Sequence, residues 1–222
     1  MSRDVESHGG MTQIALPLEL AGGGEIIVGG PSLHAVFAAL QAPETWPYRT
    51  AVLSGPPRSG KSLLARWFVS SGQGDALDDA DRLPEVEVFH RWNRAQADGR
   101  PLLLVSRQPV VAGGDGWRIT LPDLASRLGA ALPLAIGAPD DILLRALVEE
   151  HARRRGLMIG ESVLDWLLPR IERSHAAAEA LVATIDRLSL ERKAPVTLAL
   201  VRDALAGRVH GNADGHWQPR LL

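Results

Sequence analysis

A chain of 222 residues with 24 basic and 26 acidic side chains has a formal charge of −2, which speaks against a broad nucleic-acid-binding face. It contains no cysteine, so disulfides and thiolate metal sites are excluded. A hydrophobic content of 45% supplies core for one large or two small domains, and no apolar run approaches the roughly 18 residues needed to cross a bilayer.

The N-terminus carries Asp4 and Glu6 and has no apolar stretch of its own, so no secretory signal is expected and the expected compartment is the cytoplasm. Residues 1–24 read as a flexible leader. Within them Gln13-Ile14-Ala15-Leu16-Pro17-Leu18 is an isolated apolar peptide, followed by Gly22-Gly23-Gly24. It reads either as an exposed linear motif, its proline limiting the bound shape while Leu16 and Leu18 fill pockets on a partner, or as an N-terminal strand folded back on the domain. The residues alone leave both open.

Glu25 to Val28 reads as a short strand, and Ser32 as the cap of a helix reaching about Gln41. Ala51-Val52-Leu53 then forms an apolar strand that runs into Ser54-Gly55-Pro56-Pro57-Arg58-Ser59-Gly60-Lys61-Ser62 and a helix beginning near Leu63. This is the G-x-x-x-x-G-K-S phosphate loop in its required context of strand, loop and helix start. The glycines let backbone N–H groups converge on a polyphosphate, and the helix N-terminus adds positive potential. Lys61 would reach the terminal phosphates and Ser62 would hold Mg²⁺. Of the 24 basic residues only Lys61 and Lys193 are lysines, so a lysine in this loop is itself informative. The nucleotide-binding set is Gly55, Pro56, Pro57, Arg58, Ser59, Gly60, Lys61, Ser62 and Leu63.

A weak apolar run ends in Asp78 and Asp79. Asp78 could hold the Mg²⁺ through water and Asp79 could orient an attacking water, although Asp75 and Asp81 nearby also fit a merely solvated acidic loop. Glu85 to Ala97 has helical spacing, with Val88, Phe89, Trp92 and Ala95 inward. Leu102 to Val105 is a buried parallel strand, Trp117 to Thr120 a short strand, Leu121 to Leu128 a short helix and Leu134 to Ile136 a further strand. From Pro139 the period stays helical, with starts at Asp140 or Asp141, Glu161, Ser174 and Thr197 and a last helix ending near Leu205. The expected fold is an α/β P-loop parallel sheet over 25–138, a small helical lid over 139–206 and a polar tail over 207–222. The seven histidines lack ligand spacing, so no transition metal is assigned.

This combination resembles the AAA+ family in its DnaA branch, over about residues 25–206. Glu25 to Ser32 is similar to the segment that approaches adenine there, which implies Ile27 and Val28 as further nucleotide contacts. Val88 to Asn93 and Leu103 to Pro109 resemble the Walker B-to-sensor region. DnaA continues into a helix-turn-helix DNA-binding domain, and this chain is expected to stop before one. Short DnaA-like proteins of the Hda family begin with a Gln-x-x-Leu-Pro-Leu peptide, which Gln13, Leu16, Pro17 and Leu18 match. In that family the peptide binds the sliding clamp (β) of DNA polymerase III.

The resemblance implies a negative regulator of replication initiation with DnaA as partner, no sequence-specific DNA binding, no membrane contact and possible self-association. It implies ADP or ATP with Mg²⁺ as ligands, and Arg127, in Ala125-Ser126-Arg127-Leu128, as an arginine finger acting on the ATP of the neighbouring subunit. Two departures lie at the sensors: Arg107 stands where the acid after Ser106 would be, and Ala177 stands about where a lid arginine would be. A third is the little room before Asp78 for an extra strand and helix. Weak or absent ATPase activity of the chain itself follows. The competing reading is an autonomous P-loop ATPase or small-molecule kinase.

Overall fold

The computed structural model describes residues 14–20, 23–29, 31–111 and 115–211, with side chains among them from Leu33 to Gly207. Two strands, β1 (Ile14–Leu20) and β2 (Gly23–Gly29), pair antiparallel, with Leu16 opposite Ile27 and Ala15 opposite Val28. Of the expected glycine leash, Gly23 and Gly24 pair within β2, opposite Leu20 and Glu19, and residues 14–18 of the peptide lie on β1. The hairpin runs beside the helices α1 (Pro31–Leu40) and α2 (Lys61–Ser70). Proline opens α1 where serine was expected to cap it, as suits the fixed φ of proline in a first helical turn.

The core sheet is parallel and four-stranded. Its strands are β3 (Thr50–Ser54), β4 (Asp75–Leu77), β5 (Leu102–Ser106) and β6 (Leu132–Ala135), in the order β4-β5-β3-β6. Every residue of β3 and β5 is buried, because helices cover both faces. Side chains alternate between those faces. Leu53, Leu103 and Val105 pack with Leu33, Leu40, Leu64 and Phe68 on one side. Val52, Leu102 and Leu104 pack with Val88, Trp92, Leu124 and Leu128 on the other, from α3 (Glu85–Asp98) and α4 (Pro122–Gly129). Phe89, expected inward, is only half-buried. The expected strand over 117–120 is a single bridge from Trp117 to Val110, and Trp117 serves as a core side chain.

Four helices follow: α5 (Asp141–Arg154), α6 (Glu161–Leu167), α7 (His175–Arg192) and α8 (Leu198–Gly211). They enclose a core of their own, with Leu144, Leu167, Leu181, Val182, Ile185 and Val201 at its centre. Asp140 caps α5 by accepting from the Leu143 N–H at 2.7 Å, and Ser174 caps α7 by accepting from Ala177 at 3.0 Å. α6 tightens into a 3₁₀ turn at Leu168–Arg170, and α8 runs past Leu205 to Gly211. Arg153 and Arg154 at the end of α5 both pair with Glu150. Among the described residues no helix is long and apolar enough to cross a membrane.

Candidate functional site

β3 delivers the chain into the loop over 55–60 at the C-terminal edge of the sheet, where open α/β sheets bind ligands. A Cβ at Gly55 would lie 2.8 Å from the Ile136 carbonyl oxygen, so only glycine lets the loop pass this close to the end of β6. Gly60 sits at φ 89°, in the left-handed region, and from there Lys61 starts α2. Lys61 is nearly buried, and its ammonium donates to the carbonyls of Gly55 at 2.7 Å and Pro56 at 2.8 Å. An ammonium has three donors, so one remains for a phosphate oxygen. Burial lowers the Lys61 pKa, opposed by the charges of Asp78, Asp79 and Asp81.

The loop fits a polyphosphate. Its backbone cradle excludes a Cβ, Lys61 retains a donor, and the Ser59 hydroxyl is buried without a partner. Ser62 is exposed in the first turn of α2, Leu63 is half-buried beneath it, and Pro57 and Arg58 face outward. Among the described residues no three histidines or carboxylates gather as a metal site of their own. Mg²⁺ rarely needs one. It is held by one or two hard oxygen donors together with phosphate oxygens and water, a role open to Ser62 and the exposed Asp78.

The acids divide unexpectedly. Asp78 accepts from the Asp79 N–H at 3.0 Å, and Asp79, at φ 48°, lies 3.8 Å from Arg82. Asp81, which the sequence leaves in the background, is the buried one. One of its oxygens pairs with the Arg107 side chain at 2.9 Å, and the other has no partner. The arginine after Ser106 is thus engaged by an acid from the 3₁₀ turn (Ala80–Arg82) that follows β4.

Arg127 lies on the opposite face of the sheet from α2. Its guanidinium stacks over Trp92 at 4.3 Å and Phe89 at 4.7 Å, and donates to the Asn93 amide oxygen at 2.6 Å. Among the described residues no carboxylate pairs with it. It lines a cavity of about 180 Å³ with Tyr48, Trp92, Ser126 and Ala130. The aromatic spacing of α3, read from sequence as core, therefore also holds this arginine.

α4 is anchored from its other end. Glu85, first in α3, accepts from the N–H groups of Thr120 and Leu121, each at 2.8 Å, and from the Thr120 hydroxyl at 2.9 Å. These bonds, that from the Thr120 N–H above all, hold the Glu85 carboxyl below the ordinary glutamate value, against a partial opposing effect of desolvation. A depressed carboxyl adds stability above its unfolded pKa and loses it as pH falls through the folded value. Glu85→Ala is expected to cost about 1 kcal/mol near neutral pH, as for a lost helix cap. The gap from wild type should narrow below about pH 4. Urea midpoints at the two pH values check this.

The lid reaches the loop. Glu179, on α7, pairs with Arg58 at 3.3 Å, and Arg58 itself sits in the left-handed region at φ 64°. Ala177, at the expected lid-sensor position, is buried in the lid core. Gln13 lies outside the described residues. Leu16, Pro17 and Leu18 lie on β1 and Ile27 and Val28 on β2, so the structure joins the peptide to the candidate adenine segment in one hairpin.

Residues 140–205 match the family model described as Hda, lid domain. An uncharacterized Haemophilus influenzae protein is 28% identical over 122 residues, 54% of this chain, and the chain spans about half (51%) of the length of that relative. Domain III of the Thermotoga maritima replication initiation protein DnaA superposes with a TM-score of 0.66 at 15% identity, over 82% of this chain and 93% of that one. A replication initiator DnaA bound to AMPPCP and single-stranded DNA gives 0.56 at 19% identity, over 75% of this chain and 66% of that one.

Proposed function

We propose, from the premise that this chain is a DnaA-related AAA+ protein with an Hda-type lid, that it is a cytoplasmic negative regulator of replication initiation. It binds ADP or ATP with Mg²⁺ in the loop around Lys61, engages the sliding clamp through Gln13, Leu16, Pro17 and Leu18, and lends Arg127 to the ATP of DnaA. The observation that carries this reading is the state of Arg127. Its charge is held at the surface by a neutral amide and two aromatic rings, with no carboxylate among the described residues to neutralise it. A guanidinium so presented is ready to meet negative charge that builds up on a phosphoryl group of another subunit.

The chain's own hydrolysis is weak on this reading. Arg107 is tied to Asp81, and Ala177 offers no charge from the lid. Exposed Asp79 is left as the candidate to orient a water. The test is the rate of hydrolysis of DnaA-bound ATP in the presence of DNA-loaded clamp. Wild type should accelerate it and Gln13→Ala should not, because the peptide recruits the protein to the clamp. Hydrolysis of ATP by this protein alone, with DnaA unaffected, would instead favour the autonomous P-loop enzyme.

A further inference from the structure

His175 opens α7, and the side chain of a first-turn residue leans back over the helix N-terminus. It is 4% exposed, and its Nδ1 is buried without a hydrogen-bond partner. Glu179, one helical turn on and therefore on the same face, pairs with Arg58 of the phosphate loop. His175 thus belongs to the stretch of lid that meets the loop, near enough to Lys61 and to His151 of α5 to feel both.

We propose that His175 is the lid's contact with the bound nucleotide, its unpartnered Nδ1 donating to a phosphate oxygen held at Lys61. This rests on the nucleotide-binding reading of the loop. Burial, with the positive charge of Lys61 and the neighbouring His151, lowers the His175 pKa. Other charges border this set: Glu179 on α7, which raises the His151 pKa, Arg154 and Arg155 at the end of α5, and Arg58 in the loop. A polyphosphate reverses the local sign, since its oxygens neutralise Lys61 and favour imidazolium, in which both ring nitrogens donate. Nucleotide binding is therefore accompanied by uptake of a proton from solvent on His175, and the new hydrogen bond ties α7 to the loop. Histidine does here what Ala177 cannot.

The probe is ADP, titrated into the full chain. In the ¹⁵N spectrum of wild type, the His175 ring nitrogens should move from the neutral to the imidazolium pattern on saturation. Calorimetry in buffers of different ionisation enthalpy should show an uptake of roughly half a proton or more near neutral pH. His175→Gln should lose that uptake and bind ADP about tenfold more weakly, a loss of one hydrogen bond to a charged group. His151→Gln should keep the uptake. Unchanged His175 ring shifts with ADP demonstrably bound would overturn the proposal, and need no variant to fold. Failure of ADP to bind at all would instead remove the nucleotide reading on which it stands.

Discussion

Arg127→Ala should abolish the acceleration of ATP hydrolysis in DnaA, with a loss on the order of 10³-fold under single turnover if the guanidinium acts as an arginine finger. The chain's own ADP affinity should be unchanged, because Arg127 and α2, which begins with Lys61, lie on opposite faces of the sheet. Folding should suffer little. The side chain makes one hydrogen bond and two ring contacts at a half-exposed site, together worth about 1–2 kcal/mol. Arg127→Lys should fail almost as completely, since an ammonium offers a point charge without the planar fork and fits the Phe89–Trp92 shelf less well. Asn93→Ala separates placement from chemistry. It leaves the guanidinium intact but frees its anchored end, so the expected loss is partial, about tenfold, and smaller at high protein concentration. Full activity of Arg127→Ala in this assay would remove the finger.

Lys61→Met should raise the Kd for ADP by about 10²-fold, the larger end of what one hydrogen bond to a charged group is worth. The arrangement around the ammonium explains why the effect is large. Lys61 satisfies two loop carbonyls and offsets three carboxylates, those of Asp78, Asp79 and Asp81. Removing it leaves those acids facing an anionic ligand. Methionine preserves most of the buried stem, so the loss registers chiefly in binding. Thermal denaturation gives a second reading. Wild type should gain about 2.7 kcal/mol from ADP at a hundredfold its Kd, and the variant at the same concentration much less.

The parts of the molecule written in local pattern are legible in the sequence. Leu102 to Val105 could only be a buried strand, the G-x-x-x-x-G-K-S spacing fixed the loop, and Asp140 and Ser174 announced their helices by chemistry that acts within a few residues. What was missed depends on partners distant in sequence. Asp81 meets Arg107, 26 positions away, and nothing in Asp78-Asp79-Ala80-Asp81 distinguishes the acid that will be buried. His175 looks like a helix-start residue until the lid folds against the loop. Trp117-Arg118-Ile119-Thr120 has strand composition, yet its tryptophan finds more contact in the core under α3 and α4 than a ladder would offer. Glycines read from sequence as a tether give no strand signal, yet Gly23 and Gly24 pair with Leu20 and Glu19, a register decided by the apolar residues on either side of them.

That hairpin couples whatever binds its first strand to whatever binds its second. Residues 14–20 hydrogen-bond in register with 23–29, so a partner that draws the first strand into its own pocket must unzip it from the second. Whatever steadies the second strand against α1 and α5 makes the first harder to withdraw. Linkage requires the converse to the same degree: a peptide captured elsewhere loosens whatever the second strand touches. If the clamp takes the one and the base of the nucleotide meets the other, each weakens its hold when the other arrives, and nucleotide state sets the length of time the protein stays on the clamp.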